Sequence, residues 1–337
     1  MAIATLTETL DNLYTTTWLH LKSNAIDNIF TSVPFWSWMK EKGRFKTVIG
    51  GRKLLEPLVY AKNDDVKFIG KGGTVSLNDR EILTEAVYDW HYIVAPIVRF
   101  GTDDQKNRGK TKIMDFMTAK LDNAQDSLTD TLETTLFDGA GSGAGAVGGA
   151  FDGLQLIVQD DGLGTVGGID SSVETWWQNQ DISDGNTVFS EVLPNMRAML
   201  NDCMNNRMKD RTDVIVTDQT SYELYEGIAV GSTTAGAVGS ESLLRLSSTK
   251  MLDLGFDSQA FKGIPMIWSP DCPAATMYFL NTNFLWFTYD PGLNFDMTEW
   301  KAIPEQVNDR AAQIITACSF YTNRRRVQGV IHGLPTS

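Results

Sequence analysis

Residues 83–100 read LTEAVYDWHYIVAPIVRF. Tyr88, Trp90, Tyr92 and Val94 alternate with Asp89 and His91, the period of a β-strand. A second strand-like stretch covers 45–61. At about 3.3 Å per residue each would extend on the order of 50 Å, far beyond the usual strand of about 5 to 6 residues. Pro57 and Pro96 cannot donate to a ladder, which suits an edge or a bulge better than a central sheet. The two stretches therefore predict a two-stranded arm that leaves the body of the protein, with the polar segment 62–82 as its tip. That tip holds Gly70, Gly72 and Gly73, with Lys62, Lys67, Lys71 and Arg80 set against Asp64, Asp65 and Asp79. A lone subunit offers such a tip nothing to touch, so contact with a neighbouring subunit is expected there.

Towards the C-terminus, 102–138 predicts one long helix. Thr102 and Gln105 make a capping pair, Ile113, Met117, Leu121, Ala124, Leu128, Leu132 and Leu136 form one stripe, and Gly139 stops it. At 1.5 Å per residue it would span on the order of 50 Å, more than the radius of gyration of about 20 Å expected for a compact chain of this length. Asp122, Asp126, Asp130 and Glu133 crowd its C-terminal half, where the helix dipole disfavours them, a cost that a basic partner surface could offset. A Gly/Ala loop over 139–150 follows, then turns around the pair Trp176-Trp177. From Asp184 helix and strand alternate, as in a separate α/β unit: helices near 187–208 and 219–227, strands at 214–216, 263–268, 276–280 and 284–289, and a loop at 227–240. A last strand covers 311–321, followed by Arg324, Arg325 and Arg326. These three arginines read as exposed partners for acidic groups, ahead of a phosphate site. Towards the N-terminus, 5–42 predicts two or three short helices, whose Phe35, Trp36 and Trp38 read as packing residues.

Composition removes several function classes. In 337 residues, 42 acidic side chains against 29 basic ones give a net charge of −13, which argues against binding driven by phosphate neutralisation. Apolar residues at 42% fit a globular chain. No run of about 18 apolar residues and no signal-peptide pattern is present, so folding in a cytoplasm without a membrane segment is expected. The three cysteines, Cys203, Cys272 and Cys318, and the three histidines, His20, His91 and His332, are scattered, so neither disulfides nor clustered metal ligands are expected. Asp64-Asp65, Asp103-Asp104 and Asp160-Asp161 read as solvated or capping pairs. Gly143, Gly145 and Gly148 spell GxGxxG but follow a helix, not a strand. Gly109-Lys110-Thr111 fails as a P-loop because Asp104 stands where its first glycine belongs. No GxSxG elbow occurs. The expectation is a protein without catalytic turnover, metal or cofactor.

In this order, an N-terminal arm, a long hairpin, a spine helix, a Gly-rich loop, an α/β unit and a returning strand resemble the major capsid protein of tailed bacteriophages, with its Hong Kong 97-type shell fold. Local wording resembles it too: Leu13-Tyr14-Thr15-Thr16-Thr17-Trp18, Asp27-Asn28-Ile29-Phe30, Ile69-Gly70-Lys71-Gly72-Gly73, and Gly167-Gly168-Ile169-Asp170 leading to Trp176-Trp177. The resemblance implies an α+β fold. Residues 1–45 would be the arm that laces neighbours together and 46–100 the extended loop. Residues 101–185 with 300–337 would form the peripheral domain, with its spine helix at 102–138, and 186–299 the axial domain.

The resemblance further implies self-assembly, as hexamers and pentamers, into the icosahedral head of a virion put together in the host cytoplasm. That head encloses double-stranded DNA without sequence-specific binding, and the acidic charge suits this. A separate scaffolding protein is expected, because the chain begins with the arm. A portal is the other partner implied, and the resemblance leaves open whether decoration proteins join it. Some relatives cross-link the loop tip through a Lys-Asn isopeptide bond; Lys62, Lys67 and Lys71 lie in the tip, but no matched acceptor and catalytic carboxylate carry that chemistry here. The alternatives are an encapsulin-type nanocompartment shell protein and, from another class, a cytoplasmic hydrolase with its site in 186–299. Lys62, Asp64, Asp65, Lys67, Lys71, Arg80, Arg324, Arg325 and Arg326 are the expected inter-subunit contacts.

Overall fold

The computed structural model describes residues 34–63, 65–74, 81–100, 116–138, 149–186, 191–204, 210–230, 259–304 and 309–336. Most of the N-terminal arm, Asp64, Arg80, the Thr102–Gln105 pair, the Gly139 stop and nearly all of both Gly-rich loops lie outside these residues. The chain divides into two compact units.

Among the described residues the first unit takes Ile93–Thr131 and Phe295–Thr316. It contains most of β4 (His91–Arg99), the first part of helix α2 (Phe116–Asp138), β13 (Asp296–Met297), β14 (Lys301–Ala302) and the start of β15 (Arg310–Thr322). Strands β13 and β14 pair antiparallel with β15, through Met297↔Ile314 and Lys301↔Ala311, and β4 also pairs with β15. Ala124 and Leu128 on the apolar stripe of α2 pack with Ile97 and Ile314, closed off by Leu121, Phe295 and Trp300. Lys120 ties α2 to the ladder by donating to the Val98 carbonyl at 3.1 Å.

The second unit takes Ser32–Tyr92, Leu132–Asn294 and Ala317–Ser337. Its main sheet contains β7 (Gln180–Ser183), β8 (Val214–Thr217), β9 (Gln259–Phe261), β10 (Ile264–Trp268), β11 (Thr276–Leu280) and β16 (Gly329–His332), in the order β7-β16-β11-β8-β10-β9. β8 and β11 are buried along their whole length, as expected of central strands covered on both faces. Helix α3 (Val192–Cys203) lays Val192, Met196, Met199, Leu200 and Cys203, spaced on one helical face, against Ile215, Met277, Phe279 and Ile331. Helix α4 (Gln219–Val230) adds Tyr222 and Tyr225 to the same core.

The expected α/β boundary of 186–299 cuts through this sheet. β7 and β16 fall outside that range yet pair within the sheet, β16 through Thr276↔His332 to Phe279↔Gly329. β12 (Leu285–Tyr289) falls inside it but belongs elsewhere: it pairs with β1 (Phe45–Thr47) and with the Cys318–Thr322 end of β15. Side-chain chemistry explains the exchange. Val330 and Ile331 are fully buried, whereas β12 brings Phe287 to Phe45 and Trp36, with ring centroids 5.3 and 4.7 Å apart.

The two long strands are shorter than the sequence period suggests. β1 ends at Thr47 and, after Gly50-Gly51, the chain restarts as β2 (Leu54–Val59); the second stretch breaks at Asp89-Trp90 into β3 (Leu83–Tyr88) and β4. Only β2 and β3 form the two-stranded ribbon, from Leu54↔Tyr88 to Val59↔Leu83, with Pro57 opposite Glu85. The flanking strands pair elsewhere instead, β1 with β12 and β4 with β15.

Candidate functional site: the ribbon and the arginine turn

The ribbon is fixed at its root. Tyr88 stacks on Tyr321 with centroids 5.1 Å apart and an interplanar angle of 28°. Tyr321 donates to Glu56 at 2.7 Å, and Lys46 holds the same carboxylate at 2.8 Å. A small hairpin, β5 (Thr165–Val166) and β6 (Ile169–Asp170), docks on β3 through a bond of 2.9 Å from Val87 N to the Gly167 carbonyl. Its two-residue turn, Gly167-Gly168, has φ of 59° and 77°, the left-handed pair that a tight hairpin demands. A Cβ at Gly167 would stand 2.9 Å from the Ala86 methyl. Both the turn and the approach require glycine.

One face of the ribbon is packed, through Leu54, Leu58 and Ala86, and the other is bare. Leu55, Val59 and Leu83 are 55, 70 and 65% exposed, and on the tip Val66 and Phe68 reach 82 and 108%. Lys62, Lys67 and Lys71 are exposed as well, while Asp65 is half-buried and its amide donates to Asn63 Oδ1. Reading the tip by its charges missed Val66, Phe68 and Ile69. The signal was legible in the sequence as apolar residues interleaved with lysines in a stretch that has no core to enter.

The three arginines have three different fates. Arg324 donates to the buried Asp210 carboxylate at 2.7 Å and lies over the Phe284 ring at 5.3 Å. Arg326 is exposed. Arg325 departs from the expected exposed contact: its guanidinium has no accessible surface and bonds the Ile157 carbonyl (2.6 Å), the Leu163 carbonyl (2.7 Å) and Ser171 Oγ (2.9 Å). Burial holds its pKa down at about 10. The turns of 154–171 point carbonyls at the guanidinium, and a five-donor fork bonds several at once. A groove of about 930 Å³ opens beside the turn, where Tyr60 and Lys62 of the ribbon meet Trp176, Phe284, Arg324 and Arg326. Lys62 and the arginine turn are thus brought together, while Lys67 and Lys71 do not line this groove.

The acidic half of α2 also differs from expectation. Asp122 and Asp126 are exposed, but Glu133 is fully buried, and its carboxylate accepts from Phe35 N and Trp36 N at the start of helix α1 (Pro34–Glu41). Backbone amides, not a basic surface, meet it. Phe35 and Trp38 are buried, as packing residues should be.

Among the described residues no group of three or more His, Cys, Asp or Glu side chains is arranged to hold a metal ion, and no helix is long and apolar enough to cross a membrane. Burial pushes the Cys203 and Cys318 thiols up to about 12 and raises Cys272 too, which makes all three poor nucleophiles.

No protein-family model and no curated protein matches the sequence. Solved structures do match the fold. The capsid asymmetric unit of cyanophage A-1(L) superposes with a TM-score of 0.70 at 15% identity, covering 93% of this chain and 96% of that one. The capsid of Myoviridae phage XM1 gives 0.59 at 9% identity, covering 99% of both. The holo-SrpI encapsulin complex from Synechococcus elongatus PCC 7942 gives 0.58 at 10% identity, covering 100% and 98%. Coverage of 93% and 99% of the chain establishes that it has the α+β fold of phage capsid proteins.

Proposed function

We propose that the chain is the major capsid protein of a tailed double-stranded DNA phage and acts structurally, without catalytic turnover, metal or cofactor. The likeness to the A-1(L) capsid chain, over 93% of this one, carries this reading. The bare apolar face of the ribbon supports it, because large exposed apolar patches mark interaction surfaces. In the shell, hexamers and pentamers form around the α/β sheet, with β7 and β16 included in the axial part. The ribbon lies on an adjacent subunit, where Val66, Phe68, Lys67 and Lys71 meet the neighbour. Lys62, Asp65, Arg324 and Arg326, together with Asp64 and Arg80, serve the same contact, and Arg325 is left to the subunit's own structure. A separate scaffolding protein and a portal complete the particle, and the net negative charge keeps the enclosed DNA unbound.

A nanocompartment shell is the second reading, favoured by the full-length likeness to the encapsulin complex. Electron microscopy of purified particles, with nucleic acid measured in each, distinguishes the two. Heads filled with double-stranded DNA are expected; small shells filled with protein would establish the second reading instead.

A further inference from the structure

Glu133 lies on the part of α2 that meets α1 and has no accessible surface. Its two oxygens accept from Phe35 N at 3.2 Å and Trp36 N at 3.0 Å. Pro34, which has no N–H, precedes them at the first helical position, so the carboxylate takes the first two free amides of α1. Four residues along α2, the Phe137 ring packs 5.7 Å from Phe35. One carboxylate and one ring thus hold the start of α1. The link between β10 and β11 closes the site: buried Ser269 hydrogen-bonds the Glu133 side chain, and Asp271 accepts from Thr134 Oγ1 at 3.1 Å.

The charges on the surrounding elements do not neutralise Glu133. Asp271 faces it from the link, Asp130 stands three residues earlier on α2, and Lys40 and Glu41 of α1 lie in its last turn, away from the bonded amides. Among the described residues Glu133 forms no ion pair. The nearest charge that acts on it has the same sign.

We propose that Glu133 makes the contact of α1 with α2 a proton-linked latch, which takes up one proton on closing and releases it on opening. When the latch is closed, loss of solvent and the Asp271 carboxylate both favour the neutral carboxyl. The neutral group still accepts an amide through its carbonyl oxygen, and its O–H can donate to a neighbouring oxygen. When the latch is open, water solvates the ion and the ordinary carboxylate behaviour returns. Burial raises the closed-state pKa to about 7, against the opposing pull of the two amides. The closed form therefore binds the proton, and the open form does not, from the ordinary carboxylate range up to about 7. Raising the pH through that window favours opening, and above it the balance is constant. The latch belongs to a single chain and stands whether or not the chain builds a shell. It sets how firmly Pro34, at the start of α1, is held.

Hydrogen exchange of the amides of residues 35–39 in unassembled full-length protein, corrected for the intrinsic pH dependence, tests the latch. Between pH 5 and 7 the opening constant should rise roughly tenfold per unit and then level off. Glu133→Gln should abolish that rise, and Asp271→Asn should move the levelling point to lower pH. Protection in the wild type that does not vary with pH, or an unchanged slope in Glu133→Gln, overturns the latch. Should Glu133→Gln fail to fold, Asp271→Asn decides, since an unchanged levelling point overturns it equally.

Discussion

The hydroxyl of Tyr88 donates a hydrogen bond of 2.7 Å to the carbonyl of Thr322, so the last residue of β3 is tied to the last residue of β15. Both groups are buried, and Tyr88→Phe would leave the carbonyl without its donor while keeping the stack on Tyr321. The expected cost is about 1 to 3 kcal/mol, read from urea unfolding of unassembled subunits. A variant as stable as the wild type would mean that the ring, not the hydroxyl, fixes the ribbon root.

Arg325 and Arg326 are neighbours with opposite expected responses. Arg325→Met removes the donors of several buried carbonyls and should cost at least about 3 kcal/mol, seen as a large fall in melting temperature or as insoluble protein. Arg326→Ala should change subunit stability by less than about 0.5 kcal/mol and lower the yield of sedimenting shells.

On the tip, Phe68→Asp is expected to leave the unfolding curve of the subunit within about 0.5 kcal/mol of wild type while preventing shell formation, because an exposed ring contributes nothing to the lone chain. The double change Lys67→Glu with Lys71→Glu should act in the same direction. Normal assembly of both variants would identify the tip as a solvated turn.

A Cβ on Gly329 would stand 2.3 Å from Met199 Sδ and 2.7 Å from Cys203 Sγ. Gly329→Ala must displace the Met199 and Cys203 side chains that pack α3 on the sheet, at an expected cost of about 1 to 3 kcal/mol. Adding Cys203→Ala should recover part of that loss, a coupling that a double-mutant cycle measures directly.

The three free thiols are buried and their pKa values are raised by that burial. At pH 8 a disulfide-exchange reagent should find no reactive thiol in the native protein and all three after unfolding in guanidinium. Rapid reaction of any one in the native state would show that its segment opens locally.

Much of this architecture was legible in the sequence because it rests on local periodicity. The stripe Ala124, Leu128, Leu132 and Leu136 gave α2 its buried face, and continuous apolar runs marked β8 and β11. Partner choice between strands was not legible. Nothing local in 180–183 or 329–332 says that β16 lies between β7 and β11, because pairing is decided by where Val330 and Ile331 find cover. Burial of charge was equally hidden. Arg325 looks like Arg324 and Arg326 in sequence, and only the carbonyl-rich turns of 154–171 single it out. Glu133 looked misplaced near a helix C-terminus until the amides of Phe35 and Trp36 supplied its partners.

The enclosed guanidinium of Arg325 has a consequence for behaviour in salt. Its partners are neutral oxygens and it has no accessible surface, so dissolved ions can neither compete for its contacts nor screen them. Lys46–Glu56 and Lys53–Asp89, beside the ribbon, leave their lysines 47% exposed, and screening at about 1 M salt acts within about 3 Å. Ionic strength therefore separates two parts of the second unit: brine weakens the ion pairs that brace the ribbon and leaves the arginine-centred turns untouched.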